Sequence, residues 1–401
     1  MGSFWLGAHR PFFVLSALWA LLAGLGWLAG LREIGGADYG NLAALHAPLL
    51  ILGFGGAASA GFLLTSLPGW TKGTPVQGGV LVALVLAWLL GQAVIARQVG
   101  LGAGAGLPGL LAVALFPLGL AAVMARAIVV GRAWRRLFAL AVPGGLGGVA
   151  LAYVGWPQGV AAALAAHPSA PVLLYVMLIS VVGGRAIIGF GRNFLARSGR
   201  AAVKVAAGWE EPLALAVLAG GMAVYLASQG GAGALGLGLA AGSQLWRLRR
   251  WLVAPIWREP LLAVLLAGLL WLPAGLVALA LARLQVGPLA SADALHALSM
   301  GMMGGMIAAM AGRAAARRVN GALVARRGLI VACTLIWLAA VVRLTAALWP
   351  SGALAGMELA AVLWLAGWGG WLLAYAPALR GPVLRPVLSG RRATPAAPEN
   401  R

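Results

Sequence analysis

The sequence predicts an all-α polytopic membrane protein: one bundle of about twelve transmembrane helices, with both termini in the cytoplasm. The first observation is composition, since 62% of the 401 residues are hydrophobic and only 9% are charged. The second is that apolar runs of about 20 residues, long enough to cross a bilayer, recur throughout the chain. The third is that only short turns separate these runs. A soluble domain carries about a quarter charged residues, so soluble classes are excluded.

The individual helices follow from the apolar runs, which lie at 12–31, 46–66, 79–96, 108–130, 137–156, 170–190, 212–228, 230–246, 260–282, 293–312, 328–349 and 354–376. Short connections between such runs predict antiparallel neighbours in one bundle. We therefore expect a transmembrane domain over residues 1–388. The remaining segment, 389–401, is polar and rich in proline, so we expect a disordered cytoplasmic tail.

The basic residues set the predicted orientation. The formal net charge is +21, and most lysines and arginines lie in the turns that follow even-numbered runs. Cytoplasmic loops carry this excess, so both termini are expected in the cytoplasm of a bacterium and the spans in its inner membrane. The basic residues are thus explained by the orientation of the spans in the membrane. We therefore expect the lipid bilayer as partner and no binding of nucleic acid.

The candidate ligands are few. The one cysteine, Cys333, excludes an intramolecular disulfide and a covalent c-type haem. Of the four histidines, His9 and His167 are interpreted as surface residues. His46 and His296 each begin a helix on the predicted outer side, at matching depth. Two interpretations stand: they ligate one haem iron axially, or each donates a hydrogen bond to a backbone carbonyl across a helix contact.

The tenth run also contains methionines, whose thioether sulfur can bind a metal. His296, Met300, Met303 and Met310 fall on one face of a regular helix. Thioethers suit copper(I) and are known haem ligands, but methionine is also a packing residue, and packing is the favoured interpretation. In the second run, small residues at Gly53, Ala57 and Gly61 predict a close approach by another helix or a flat ligand.

Charged residues inside the spans mark a second candidate region. Arg185 lies within the sixth run, where a guanidinium is costly, so it either reaches towards the cytoplasmic surface or binds an anionic group. Arg192 and Asn193 follow at the boundary of the same run. No carboxylate relay of the kind found in proton pumps is visible, and enzymatic activity is left open.

Five motifs in the same order resemble the NnrS family of twelve-helix bacterial membrane proteins. They are HRPFF (9–13), the stretch from His46 to Thr71, GGRAIIGFGRN (183–193), EPLLAVLLAGLLWLP (259–273) and HALSMGMMGGMIAAMAGR (296–313). The resemblance implies a haem-containing and copper-containing protein linked to nitric oxide metabolism and nitrosative stress. It also implies that Arg185, Arg192, Asn193 and Arg313 stabilise a charged group.

The chain departs from the family pattern at several ligands. Pro48 and Leu49 replace a histidine and a glutamate, Leu266 replaces a histidine, and a further family histidine falls near Arg318. Only His46 and His296 remain of the intramembrane histidines. Divalent copper needs several nitrogen or oxygen ligands, so we expect haem b, with these two residues as its axial iron ligands, and no copper.

Two functions are therefore carried forward. The first is an NnrS-like haem protein of nitric oxide metabolism or membrane electron transfer, working with a redox partner or as a subunit of a respiratory complex. The second is a transporter-like protein or scaffold subunit that has lost its cofactor. The second predicts a large cavity lined by Arg185, Arg313 and Asn193, with His46 and His296 far apart.

Overall fold

A computed structural model describes residues 3–34, 39–101, 106–155, 158–200, 208–228 and 230–389. The described chain is almost entirely helical. Its α-helices are α1 (His9–Leu31), α2 (Tyr39–Pro48), α3 (Gly56–Thr71), α4 (Gly79–Leu101), α5 (Gly106–Val130), α6 (Ala141–Tyr153), α7 (Gln158–Ala166), α8 (Ala170–Arg197), α9 (Glu210–Ala227), α10 (Gly231–Leu248), α11 (Ala254–Trp257), α12 (Pro260–Arg283), α13 (Ser291–His296), α14 (Gly305–Gly312), α15 (Arg327–Leu348) and α16 (Ala353–Tyr375).

Short 3₁₀ segments adjoin several of these helices, at Ser3–Leu6, Trp134–Leu140, Arg249–Trp251, Arg313–Ala315, Pro350–Gly352 and Ala376–Leu379. The predicted all-α polytopic fold is confirmed, and each predicted run has its helix. Within the described residues, eleven helical segments are long and apolar enough to cross a membrane. The predicted eighth run is present as α10, but Gln244 and Arg247 lower its apolar average. Of the predicted tail at 389–401, residues 390–401 lie outside the described residues.

The two ends of the described chain meet at one end of the bundle. Arg10 donates to the carbonyl oxygens of Arg380 and Gly381, at 3.2 and 2.8 Å, and also to that of Ser3. Tyr375 donates its hydroxyl to the carbonyl of His9 at 3.0 Å. Chain ends on the same side of a membrane require an even number of crossings. We therefore count α10 as a span in addition to the eleven, which gives twelve in total.

Side chains of α1 pack against the small residues of α3 and of the segment before it. A β-carbon on Gly53 would lie 2.0 Å from Trp19, and one on Gly61 would lie 2.7 Å from Phe13. Ala57 between them is fully buried. The predicted close approach is therefore a contact between helices, made by aromatic rings against glycine.

Two of the spans contain a π-helical segment. Leu49–Gly55 joins α2 to α3, and Ala297–Gly304 joins α13 to α14. Each segment begins within a few residues of a candidate histidine. Short π segments inside α-helices occur frequently at functional sites. The sequence predicts a regular α-helix in both spans, and the two π segments depart from that prediction.

A short hairpin follows the tenth span. Strands β1 (Arg317–Val319) and β2 (Ala322–Val324) pair antiparallel, with Val319 opposite Ala322. The two turn residues, Asn320 and Gly321, both have positive φ, at 49° and 78°. Asn-Gly is the favoured sequence for such a two-residue turn, so the signal was present in the sequence although the hairpin was not predicted.

Candidate metal centre

His46 and His296 lie side by side at the end of the bundle opposite the chain termini. Their ring centroids are 6.3 Å apart and their planes are inclined by 35°. His46 stands near the end of α2 and His296 ends α13, so each imidazole comes just before a π segment. The equal depth predicted from topology thus corresponds to direct proximity.

Each of the two imidazoles has a ring nitrogen that is not used in a hydrogen bond. Nδ1 of His296 lies 2.9 Å from the carbonyl oxygen of Ala292. A carbonyl can only accept, so Nδ1 carries the proton and Nε2 of the neutral ring has a free lone pair. Nδ1 of His46 is buried and has no hydrogen-bond partner among the described residues. Buried polar atoms are rarely left unpaired, so this nitrogen is a candidate metal ligand.

A small cavity adjoins both imidazoles. Its volume is about 60 Å³, and the functional groups on its wall include Ser299, Met300, Met303, Met357 and Arg343. The aromatic ring of Trp27 closes one side, 4.7 Å from the ring of His46. The guanidinium of Arg343 is paired with Asp293 at 2.7 Å, so its charge is largely balanced. The remaining wall is apolar.

The π segment next to His46 is fixed by hydrogen bonds from neighbouring helices. The Tyr175 hydroxyl donates to the carbonyl of Ile51 at 2.6 Å, and Ser16 donates to that of Phe54 at 2.8 Å. The indole of Trp88 donates to the carbonyl of Leu52 at 3.3 Å. A π turn disturbs the regular i to i−4 pairing of the backbone. These donors stabilise the altered turn and hence the position of His46.

The second π segment is fixed in a similar way by tryptophan. Trp337 donates its indole N–H to the carbonyl of Gly301 at 3.1 Å. Gly305 is needed beside it, because a β-carbon there would lie 2.1 Å from the Trp337 nitrogen. Tryptophan therefore serves here as a buried hydrogen-bond donor, in addition to the interfacial role expected for exposed residues such as Trp349.

The size of the cavity decides which metal group fits the histidine pair. Pockets for ligands of cofactor size measure about 300–1,000 Å³, so a porphyrin does not fit in about 60 Å³ between these helices. A single ion does. Two metal–nitrogen bonds of about 2 Å and the radii of two rings come to roughly 6 Å, close to the 6.3 Å observed.

The donor set further restricts the ion. In the described part of the chain, no three or more His, Cys, Asp or Glu residues come together. Divalent copper needs several nitrogen or oxygen ligands. The thioethers of Met300 and Met303 share the cavity with both imidazoles. Imidazole and thioether together suit monovalent copper.

The four polar residues taken from the sixth and tenth runs lie away from this centre. Arg185 lines a larger cavity near the chain termini, where its guanidinium lies 5.0 Å from the Phe138 ring. Arg192 is exposed and Asn193 is half-buried, and neither lines a described cavity with the histidines.

Arg313 has a different position again. It is 5% exposed, stacks on Phe190 at 3.8 Å and donates through Nε to the carbonyl of Leu388 at 2.8 Å. We call residues 380–389, which Arg10 and Arg313 hold, the C-terminal strap. Arg313 therefore anchors the backbone of the strap, which only the tertiary structure could reveal.

The two glycines before Arg185 have a structural explanation. A β-carbon on Gly184 would lie 2.0 Å from the guanidinium of Arg247. That guanidinium is 5% exposed and binds Glu211 at 2.6 Å and the carbonyl of Ser180 at 2.7 Å. Gly183 similarly makes room for Leu269 and Met306. These glycines let α8, α10 and α12 pack closely.

Fold and site together define a polytopic helical membrane protein with paired intramembrane histidines. The family model described as NnrS protein matches residues 3–382. The chain therefore belongs to the NnrS family and is, in general terms, a nitric-oxide-associated membrane protein. No curated protein matches it.

Proposed function

We propose that this protein is a membrane metalloprotein in which His46 and His296 bind one copper(I) ion, with thioether sulfur completing the site. The single observation that carries the proposal is the pair of imidazoles 6.3 Å apart beside a cavity of about 60 Å³. Met300, Met303 and Met357 line the same cavity. Copper in such a site supplies a one-electron couple and affinity for small diatomic molecules.

The chain's own residues perform the positioning. The Ala292 carbonyl fixes the tautomer and orientation of His296, as partners of metal-bound histidine usually do. The π segments next to the two histidines are held by hydrogen bonds from neighbouring helices, which position the rings. Trp27, Phe54 and Trp364 on the cavity wall exclude bulk water. The ion pair of Arg343 with Asp293 keeps the local charge near neutral.

Haem b at the same pair is the second candidate, and the 6.3 Å separation of the rings favours it equally. It would require the cavity of about 60 Å³ beside the rings to widen until it admits a porphyrin, with the ring separation unchanged. Metal content and an absorption spectrum of the protein purified in detergent distinguish the candidates. Copper without a Soret band supports the first, and a Soret band that H46A and H296A both alter supports the second.

A matched control is available in His167, which lies outside the cavity. H46A and H296A should each abolish the bound metal, while H167A should retain it. Purified protein with neither copper nor haem, after expression with ample supply of both, would falsify the proposal. That result would favour the transporter or scaffold function, although the predicted separation of His46 from His296 is not found.

We further propose the bacterial cytoplasmic membrane as the location, with the histidine pair in its outer half. The excess of lysine and arginine in alternate turns supports this orientation. A copper site near the outer surface would exchange electrons with a partner on that side. The redox partner or respiratory-complex assembly expected from the sequence remains a prediction.

A further inference from the structure

A second cavity, much larger than the first, lies at the other end of the bundle beside the C-terminal strap. Its volume is about 710 Å³, within the range of about 300–1,000 Å³ that small-molecule sites occupy. Its walls come from the ends of α1 and α3, the region around α6, the middle of α8 and the strap itself. It does not share its lining with the histidine site.

Most of the cavity wall is apolar, with side chains such as Phe62, Leu174, Leu178 and Val181. An apolar wall of this size fits a hydrocarbon or flat aromatic body. The hydroxyl of Thr65, which also lines the cavity, is buried without a hydrogen-bond partner among the described residues. A ligand that supplies an acceptor or donor would satisfy it.

The charged residues of the wall are all of one sign. Lys72, Arg136, Arg185 and Arg385 line the cavity, and no Asp or Glu does. None of the four forms an ion pair in the described part of the chain. Arg136 is half-buried, and Lys72, Arg185 and Arg385 are exposed. A cleft lined by charges of one sign concentrates the opposite charge, so the site favours an anionic group.

Two of these cations are oriented by aromatic rings of the same wall. The guanidinium of Arg136 lies 5.6 Å from the ring of Trp70, and that of Arg185 lies 5.0 Å from the ring of Phe138. Stacking on a ring restrains a guanidinium while leaving its N–H donors free for oxyanions. This arrangement suits carboxylate or phosphate oxygens.

We infer that this cavity binds an acidic amphiphile, a molecule with an apolar body and one or more carboxylate or phosphate groups. The acid group contacts Arg136 and Arg185, and the apolar body lies against α3 and α8. Two sources share this chemistry: an anionic phospholipid from the surrounding leaflet, and a tetrapyrrole dicarboxylate. The inference is independent of the metal proposed for His46 and His296.

The test uses two matched pairs of probes on the full-length protein in neutral detergent. Phosphatidylglycerol is compared with phosphatidylcholine of the same acyl chains by native mass spectrometry. Metal-free protoporphyrin IX is compared with its dimethyl ester by fluorescence. We expect the acidic member of one pair to bind about tenfold more tightly than its neutral analogue. One hydrogen bond to a charged group is sufficient for a difference of this size. The pair that shows this preference identifies the source.

The double variant R136Q/R185Q should remove the preference for the acid. The control R135Q/R192Q removes the same charge from exposed neighbours that do not line the cavity, and it should keep the preference. If the double variant does not fold, R136Q alone should reduce the preference severalfold. Equal binding of acid and neutral analogue in both pairs, or full preference in the folded variants, overturns the inference.

Discussion

The imidazole rings of His46 and His296, on two different spans, lie 6.3 Å apart, and each ring comes just before a π-helical segment. The altered turns are held by Tyr175, Trp88, Ser16 and Trp337 from neighbouring helices. The fold therefore stabilises two unusual backbone segments at one location. These segments determine where the two imidazole rings lie.

Sulfur ligation predicts a specific response to substitution of methionine. M300L/M303L should lower copper(I) affinity by at least about tenfold, because leucine keeps the volume but removes both thioethers. Competition with a copper(I) chelator measures the affinity. The control M302L/M310L changes two methionines that do not line the histidine cavity and should bind as the wild type does. Equal affinity in all three proteins would exclude methionine as a ligand.

Gly184 should be intolerant of any side chain. In G184A the new β-carbon displaces the Arg247 guanidinium from Glu211 and Ser180. We expect the free energy of unfolding to fall by about 2–3 kcal/mol, less than for a fully buried pair because Glu211 is part exposed. Gly189 on the same helix has open space around it. G189A should therefore cost nothing, and equal losses in the two variants would contradict the packing described for Gly184.

Arg313 is predicted to hold the C-terminal strap. In R313M the hydrogen bond to the Leu388 carbonyl is lost while much of the volume remains. A hydrogen bond from a charged donor contributes about 1.5–3 kcal/mol, so amide exchange across residues 382–388 should accelerate by about tenfold or more. R317Q, which changes an exposed arginine of the hairpin, is the control. Unchanged exchange in R313M would show that the strap is held by other contacts.

The predicted orientation can be tested through the single cysteine. Cys333 is buried, so a membrane-impermeant maleimide should not label the wild type. Val286 and Val319 are 55% and 46% exposed, on opposite sides of the tenth span. V286C should be labelled in intact cells and V319C only after lysis. The reverse pattern would invert the topology and place the histidine pair near the cytoplasm.

The helices were predictable from sequence because a span must be apolar over a fixed length. The shared depth of His46 and His296 followed from the same rule together with the placement of basic turns. Their lateral proximity did not follow, since depth does not determine which helices are neighbours.

Other features depend on contacts that no local pattern contains. Arg185 and Arg313 look alike in sequence, yet one lines a cavity and the other anchors a carbonyl of the strap. The π segments were missed because their carbonyls are satisfied by side chains from distant helices. Met310 was predicted on the face of His296 but lines the larger cavity, and the π segment shifts the register between them.

The central claim is that His46 and His296 share one metal ion with thioether sulfur. X-ray absorption at the copper edge, on protein purified and reduced in detergent, tests it most directly. The proposal predicts monovalent copper with nitrogen and sulfur scatterers in the first shell, and complete loss of bound copper in H46A and H296A. Copper retained in both variants, or a first shell without imidazole nitrogen, would contradict it.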